Sequence, residues 1–274
     1  MSNTAQTPRQ ELYEKGYTIV RNVFTKEEAA RGAEILLSKI TPETPGSFAH
    51  NEWGTRRQLR IPQNYIPEMD EYACNENLLA VVGELIEGPF KLGMEPIPCV
   101  TFTGKVAGSI HDGNWAGHVD GFPPCTQAER EGTFASGWIA FLDIEPRGGG
   151  MTILPGSHHW VEKAIQDPEF RKQKEERNSY GQHENLPGLE WNPVEITCKA
   201  GDVFFNNGDA IHNASDNQLE TPRTVCMCSY SSTTFGTKEE DAPLEERFNS
   251  EHLEIADERF KKLIEGDEWS DLRF

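Results

Sequence analysis

The segment GDVFFNNGDAIHNAS, residues 201–215, carries the clearest indication of the fold of this chain. It reads as a strand, a turn and then a histidine, His212. Similar short runs rich in β-branched and aromatic residues follow one another from residue 91 onward, and turn residues separate them. This series is typical of a β-sandwich or barrel. We therefore predict a mainly β fold, with helices on either side of it along the chain.

The sequence before the β-rich region has a helical pattern. Residues 9–40 read as a helix, a strand and a second helix. Thr25 and Glu28 have the spacing of a capping box at the start of that second helix. Residues 75–88 form a further amphipathic pattern, which predicts another helix.

No spacer rich in Pro, Gly or Ser divides the 274 residues, so we expect one domain over residues 1–274. It consists of a helical N-terminal part to about residue 90, a barrel core over about 91–237, and a helical tail over 238–274. The tail is acidic, and three apolar side chains could dock it as one helical face: Phe260, Leu263 and Ile264.

Charge and composition limit the partners that we expect. The chain has 26 Lys and Arg against 45 Asp and Glu, a net charge of −19, which repels nucleic acid and anionic membrane surfaces. We expect neither as a partner. No apolar run has the length of a signal peptide or a membrane span, so we expect a cytoplasmic protein. The six cysteines contain no CxxC pair, which favours reduced structural thiols over a disulfide framework or a zinc site.

A metal site is suggested by WAGHVDGF, residues 115–122, in which His118 and Asp120 stand two positions apart. In a strand, such side chains point to the same side and can converge on one cation. The pair alone is common enough to be an ordinary surface pair. His212 changes the interpretation, because distant strands of a barrel meet at one mouth. Two histidines and one carboxylate on one face of a metal are the arrangement of non-haem Fe(II) oxygenases.

Arg223 bears on the cosubstrate. Many of these oxygenases bind 2-oxoglutarate, whose distal carboxylate suits a planar guanidinium with two parallel donors. If His212 ends one strand and Arg223 begins the next antiparallel strand, both side chains face one cavity. The alternative for an isolated arginine is a surface ion pair.

Four segments, GYTIVRNVFTKEE, WAGHVD, FLDIEPRGGGMTILPGSHHW and GDVFFNNGDAIHNASDNQLETPR, lie in this order over about residues 14–235. In these segments the chain resembles the phytanoyl-CoA dioxygenase family of Fe(II)- and 2-oxoglutarate-dependent oxygenases. The resemblance implies a double-stranded β-helix, the jelly-roll barrel of cupin-like proteins. It also implies that His118, Asp120 and His212 are the catalytic iron ligands, that Arg223 anchors 2-oxoglutarate, and that dioxygen is the second cosubstrate.

The chain departs from the family at one position of the expected cosubstrate site. Two residues after the distal histidine, where relatives can offer a hydroxyl to 2-oxoglutarate, it has Ala214, and Ser215 or Thr152 could substitute. Trp138 is a further candidate for contact with the cosubstrate, with core packing as the alternative. Asp120 is present where halogenating relatives have a small residue, which argues for oxygen transfer or desaturation.

Other conspicuous side chains receive plainer interpretations. His158 and His159 are predicted to lie in a turn and to shape the barrel edge. His111 and Asp112 are expected to make loop hydrogen bonds, with lining of the pocket as the alternative. Trp115 and Phe122 either pack against the barrel or contact the substrate.

Together these expectations describe a dioxygenase that oxidises an unactivated C–H bond of a small-molecule metabolite, in secondary metabolism. Hydroxylation is the default outcome, and desaturation, cyclisation or rearrangement needs only another substrate pose. Two alternatives stay open, an iron oxygenase that does not use 2-oxoglutarate and a non-catalytic metal-binding barrel. Residues 47–66 and 161–190 are candidates for a lid, and the helical termini for a homodimer contact.

Overall fold

A computed structural model describes residues 6–44, 56–58, 66–106, 108–119, 132, 134–170, 172, 179–181, 188–233, 248 and 250–266. The α-helices in this part of the chain are α1 (Pro8–Lys15), α2 (Lys26–Lys39), α3 (Asp70–Ala73), α4 (Glu76–Leu85), α5 (Ser157–Ala164), α6 (Ser250–Ile255) and α7 (Glu258–Glu265). None of these helices is long and apolar enough to cross a membrane.

The strands of the described residues form two antiparallel sheets. They are β1 (Tyr17–Val20), β2 (Arg56–Gln58), β3 (Phe90–Leu92), β4 (Ile97–Thr101), β5 (Ala116–His118), β6 (Phe134–Ala140), β7 (Met151–Ile153), β8 (Ser179–Gly181), β9 (Val194–Glu195), β10 (Val203–Asn206), β11 (His212–Ala214) and β12 (Arg223–Ser232). The larger sheet has the order β1-β10-β6-β12-β4-β2, with β3 also paired to β12, and the smaller sheet has the order β8-β5-β11-β7-β9. The mainly β architecture with flanking helices is the predicted one.

Local sequence signals account for the helix starts. The Thr25 hydroxyl accepts a hydrogen bond from the Glu28 amide at 3.1 Å, and the Glu28 carboxylate accepts one from the Thr25 amide at 2.7 Å. This is the predicted capping box, and α2 begins directly after it. Asn75 caps α4 in the same way, by accepting from the amides of Asn77 and Leu78.

The two faces of the larger sheet bury different cores. On β6, Ala135 and Ile139 pack against the helices, whereas Trp138 and Ala140 pack against residues of the smaller sheet such as Ile153. This alternation is the two-residue period of a strand. We call the cluster that contains Trp138, Ala140 and Ile153, packed between the two sheets, the inter-sheet core. The side chains of the candidate site lie on the face of each sheet that is turned toward this core.

Two predictions about the local structure are wrong. His212 begins β11 in the smaller sheet and Arg223 begins β12 in the larger one, so the two strands are not antiparallel neighbours. His158 and His159 lie in the first turn of α5 and not in a turn alone. The predicted docking of the tail is confirmed, because one face of α7 is fully buried: Phe260, Leu263 and Ile264. The single-domain organisation stays a prediction.

Candidate metal and cosubstrate site

His118 and His212 face each other across the smaller sheet. They are directly opposite in the register of β5 and β11, and their ring centroids are 4.5 Å apart. Ile211 packs with Trp115 on the outer face of this sheet, so alternation directs His212 to the inter-sheet side. Metal–nitrogen bonds are about 2.0–2.1 Å long, and two imidazoles this close can each give one nitrogen to a single cation.

The orientation of His212 is fixed by its own loop. Its Nδ1 lies 2.8 Å from the carbonyl oxygen of Ala210. Because a carbonyl oxygen can only accept, Nδ1 carries a proton, and in the neutral ring Nε2 is then the nitrogen that can bind a metal. A histidine that donates through one nitrogen to a carbonyl is the usual form of a metal ligand. His212 is only 5% exposed, so this donor fits a cation in the protein interior.

Ser157 holds the loop that carries Ala210. Its hydroxyl accepts a hydrogen bond from the Ile211 amide at 2.7 Å, and the Ile211 carbonyl accepts one from the Leu154 amide at 2.9 Å. Ser157 therefore fixes the peptide whose neighbour orients His212. Sequence reasoning did not single out Ser157, although its place in the Pro-Gly-Ser-His segment was an available signal.

Asp120, the third predicted iron ligand, lies outside the described residues. Within the ranges that the structure describes, no third His, Cys, Asp or Glu joins the two histidines. The role of Asp120 therefore stays a prediction. The two imidazoles fit a transition-metal ion of the Fe(II) type, for which histidine is a common ligand.

Arg223 and Trp138 lie together on the inner face of the larger sheet. Arg223 is 5% exposed, and its Cζ is 5.8 Å from the centroid of the Trp138 ring. Its Nη2 is 3.7 Å from Sγ of Cys99, which belongs to the inter-sheet core. The guanidinium is thus held by an aromatic face and a thiol in a buried setting, where pairing with a carboxylate is strong. The structure brings Arg223 and Trp138 to the side of the larger sheet that faces the smaller one.

Thr152 does not join this group. Its hydroxyl accepts from the indole Nε1 of Trp115 at 2.8 Å and donates to the carbonyl of Asn213 at 3.0 Å. The neighbours of Thr152 on β7, Met151 and Ile153, pack in the inter-sheet core, so Thr152 points to the other face of the smaller sheet. Its predicted contact with the cosubstrate therefore needs correction, and its hydroxyl joins β7 to Trp115.

Ser215 is also committed elsewhere. Its hydroxyl oxygen is 2.9 Å from the Gly150 carbonyl oxygen and 3.0 Å from Oε1 of Glu195. His111 approaches the same Glu195 carboxylate at 3.4 Å, which is the expected loop contact. Neither Ser215 nor Thr152 is thus available as the hydroxyl that Ala214 lacks.

Two further aromatic predictions have separate outcomes. Trp115 is buried on the outer face of the smaller sheet, where it meets Trp191 edge to face at 5.6 Å. Packing is therefore the role that the structure gives it. Phe122 lies outside the described residues, as do most of the predicted lid segment 47–66 and part of the segment 161–190.

His158 has a structural role. Its Nε2 donates to the carbonyl of Tyr13 at 2.7 Å, which joins α5 to α1. Burial lowers the pKa of His158 to about 4, and the neighbouring His159 acts in the same direction. His158 is therefore neutral near pH 7 and has a structural role, whereas the prediction that His158 and His159 shape the barrel edge stays a prediction.

Comparison with known protein families matches residues 12–225 to the model of phytanoyl-CoA dioxygenase (PhyH). The chain belongs to the phytanoyl-CoA dioxygenase family. The matched region contains both histidines of the pair and Arg223. Members of this family are Fe(II)- and 2-oxoglutarate-dependent oxygenases, as the resemblance of the sequence motifs implied. A search of curated proteins found no match.

Solved structures share the fold of this phytanoyl-CoA dioxygenase family member at low sequence identity. The epimerase SnoN, in complex with Fe3+, alpha ketoglutarate and nogalamycin RO, is 22% identical, with 86% of this chain and 88% of that chain covered and a TM-score of 0.61. The carbocyclase SnoK from nogalamycin biosynthesis is 18% identical, with 84% and 85% covered and a TM-score of 0.57. HygX from Streptomyces hygroscopicus, with nickel and 2-oxoglutarate bound, is 18% identical, with 84% and 88% covered and a TM-score of 0.56.

Proposed function

We propose that the protein is an Fe(II)- and 2-oxoglutarate-dependent dioxygenase that oxidises an unactivated C–H bond of a small-molecule metabolite. The observation that carries the proposal is the pair of facing histidines, with His212 oriented so that Nε2 can bind a metal. The buried arginine on the facing sheet supports the choice of 2-oxoglutarate as cosubstrate.

Each residue of the proposed site has one role. His118, Asp120 and His212 hold the iron, and Arg223 binds the distal carboxylate of 2-oxoglutarate through two parallel hydrogen bonds. Trp138 provides an aromatic surface beside the guanidinium. Iron held by these residues would supply, together with 2-oxoglutarate and dioxygen, the oxidising power for cleavage of the C–H bond.

The remaining protein contribution is positioning and exclusion of water. The inter-sheet core around the site is apolar, with Ile153 opposite His212 and Val225 next along β12 from Arg223 on the same face. An apolar surrounding strengthens the pairing of Arg223 with a carboxylate. Substrate pose then decides among hydroxylation, desaturation, cyclisation and rearrangement, with hydroxylation as the default.

Secondary metabolites are the first substrate class to test. Two solved structures of the same fold carry such molecules, SnoN with nogalamycin RO and HygX with hygromycin B. A net charge of −19 does not favour a coenzyme A thioester, whose phosphates are best received by a basic rim. A metabolite library screened for substrate-stimulated succinate formation identifies the substrate class. The homodimer stays a prediction, which light scattering can check.

Succinate formation tests the reaction class. Protein with Fe(II), 2-oxoglutarate and oxygen is expected to release succinate, and His212→Ala is expected to abolish the release because one iron ligand is gone. His159→Ala is the control, since His159 lies in α5 beside His158. Iron binding without succinate would favour an iron oxygenase that does not use 2-oxoglutarate. Iron binding without any oxygen consumption across the library would favour a non-catalytic barrel.

A further inference from the structure

Ala214 stands where relatives can have a hydroxyl that binds 2-oxoglutarate. In this chain a threonine outside the sequence motifs can provide that hydroxyl. We propose that Thr101 donates a hydrogen bond to the distal carboxylate of 2-oxoglutarate, beside the guanidinium of Arg223. This inference rests on the proposed function, because it assigns one more residue to the same cosubstrate.

Thr101 lies next to Arg223 on the larger sheet. It ends β4, and its Cα is the register partner of the Cα of Arg223 at the start of β12. Cys99, two residues earlier on β4, faces the inter-sheet core and touches Nη2 of Arg223. Because side chains two apart on a strand share a face, Thr101 and the guanidinium are on the same face of the sheet.

The Thr101 hydroxyl is buried and unsatisfied. Thr101 is 1% exposed, and its Oγ1 has no hydrogen-bond partner among the described residues. Native structures rarely leave a buried polar atom without a partner, because it has lost its hydrogen bonds to water. A hydroxyl of this kind, directly across from an arginine that suits a carboxylate, is explained if the ligand provides the acceptor.

The backbone around the pair is fixed. The side-chain amide of Asn217 donates to the carbonyl oxygens of Thr101 and Thr221, at 2.9 Å each. It thereby joins the end of β4 to the segment that leads into β12. Thr101 and Arg223 are held at a constant register, so that one carboxylate can receive donors from both.

The other candidate hydroxyls are occupied. Thr152 is bonded to Trp115 and Asn213 on the outer face of the smaller sheet, and Ser215 is bonded to Gly150 and Glu195. Ala214 has no hydroxyl. Of the three hydroxyls compared, those of Thr152, Ser215 and Thr101, only the Thr101 hydroxyl has no hydrogen-bond partner among the described residues and lies next to Arg223.

The test is an anaerobic titration of the Fe(II) protein with 2-oxoglutarate, in which calorimetry measures the dissociation constant. Thr101→Val keeps the branched shape and removes the hydroxyl, and we expect the dissociation constant for 2-oxoglutarate to rise about 10- to 100-fold, the usual effect of losing a hydrogen bond to a charged group. Thr101→Ser is expected to restore most of the affinity. Thr152→Val, the matched control, removes a buried threonine hydroxyl outside the site and should leave the affinity within about twofold of the wild type.

Two further readouts separate a ligand contact from a structural effect. With 2-oxobutyrate, which lacks the distal carboxylate, Thr101→Val and wild type should bind equally well. In the absence of any ligand, Thr101→Val should melt at the same temperature as the wild type or higher, because it removes an unsatisfied buried hydroxyl. Thr152→Val should melt at a lower temperature, because it breaks two hydrogen bonds.

The outcomes distinguish this inference from the function on which it rests. Wild-type protein that does not bind 2-oxoglutarate contradicts the proposed function itself. Wild-type protein that binds it, together with a Thr101→Val variant of equal affinity, contradicts only the role of Thr101. A Thr101→Val variant that loses affinity for 2-oxobutyrate to the same degree also contradicts it.

Discussion

At the scale of single residues, Ser157 is expected to act on the metal through the 210–212 loop. Ser157→Ala removes the acceptor of the Ile211 amide and loosens the peptide that orients His212. We expect Fe(II) affinity to fall about 10-fold, at the lower end of the effect of losing a contact that orients a ligand. Anaerobic competition with a chromophoric chelator measures it.

Ser109→Ala is the matched control for this change. Ser109 is equally buried, and its hydroxyl accepts from the amides of His111 and Asp216, away from Ala210. Both variants should lose a similar amount of stability, about 1 kcal/mol. Equal Fe(II) affinities for Ser157→Ala and Ser109→Ala would show that Ser157 stabilises the fold without positioning His212.

The residues of the site were predictable from sequence to unequal degrees. His212, His118 and Arg223 stand in motifs whose residue types indicate metal binding and carboxylate binding. The structure places their side chains between the two sheets. Thr101 stands in no such motif. Its position opposite Arg223 depends on the register of β4 against β12, two strands more than a hundred residues apart, and sequence spacing does not define that register.

At the scale of secondary-structure elements, two helix-interior glycines are expected to respond oppositely to alanine. A Cβ at Gly32 on α2 would lie 2.4 Å from the ring of Phe141, so Gly32→Ala should lower the free energy of unfolding by about 1–3 kcal/mol. At Gly83 on α4 the nearest atom is 3.8 Å away, and Gly83→Ala should raise it by up to about 1 kcal/mol. Urea unfolding of both variants measures the two changes. A Gly32→Ala variant that is as stable as the wild type or more stable would contradict the close approach of α2 to Phe141.

The docking of α7 gives a second prediction for an element. Leu263 is fully buried in the core between the helices and the larger sheet, and Leu263→Ala should cost about 2–4 kcal/mol in urea unfolding. Ile255 at the end of α6 is 66% exposed, and Ile255→Ala should change stability by less than about 0.5 kcal/mol. Comparable losses in the two variants would mean that α7 does not dock through this face.

Local elements were predicted better than their partners. The capping box at Thr25 and the apolar face of α7 are encoded within a few residues, and both are present in the structure. The pairing of strands depends on contacts across the chain. This is why β11 and β12, close in sequence, lie in different sheets, against the expected antiparallel pair.

At the scale of the whole molecule, a buried histidine links the C-terminal helices to the rest of the fold. On α6, Nε2 of His252 is 2.8 Å from the Asp70 carboxylate and Nδ1 is 2.7 Å from the Glu95 carboxylate. A doubly protonated ring can donate a hydrogen bond to a carboxylate from each nitrogen, so this arrangement favours the charged form of His252. Burial by itself lowers the pKa of His252, but the hydrogen bonds and charges of Asp70 and Glu95 outweigh it, and the pKa is raised.

This linkage predicts a pH-dependent stability. A histidine with a raised pKa contributes its full stabilisation below the pKa of the unfolded chain, about 6.5, and loses it as the pH rises through the pKa of the folded protein. His252→Gln should therefore cost about 3–5 kcal/mol at pH 6 and progressively less at higher pH. Urea unfolding of both proteins across this range gives the difference.

His158 provides a control of opposite sign. Its pKa is lowered to about 4, so the wild-type protein loses stability from this group as the pH falls below about 6.5. The difference in the free energy of unfolding between wild type and His158→Gln should therefore vary with pH below about 6.5. The corresponding difference for His252→Gln should vary with pH above about 6.5. A His252→Gln difference that is constant with pH would contradict the charged link.

The overall fold class was predictable because the sequence repeats one simple signal, short apolar runs between turn residues, over more than a hundred positions. The family motifs then selected the jelly-roll arrangement among β-sandwiches and barrels. The pattern does not specify which side chains of distant strands face each other, or at what distance. The facing of His118 and His212 at 4.5 Å is a property of the assembled sheet.

An iron site at His118 and His212 is tested most simply by an anaerobic visible-absorption titration of the Fe(II) protein with 2-oxoglutarate. A 2-oxo acid chelated to ferrous iron produces a charge-transfer band. We expect one saturable band per chain in the wild type and none in His118→Ala or His212→Ala. A wild-type protein without the band, or a band that persists unchanged in both histidine variants, would contradict an iron site built on this pair.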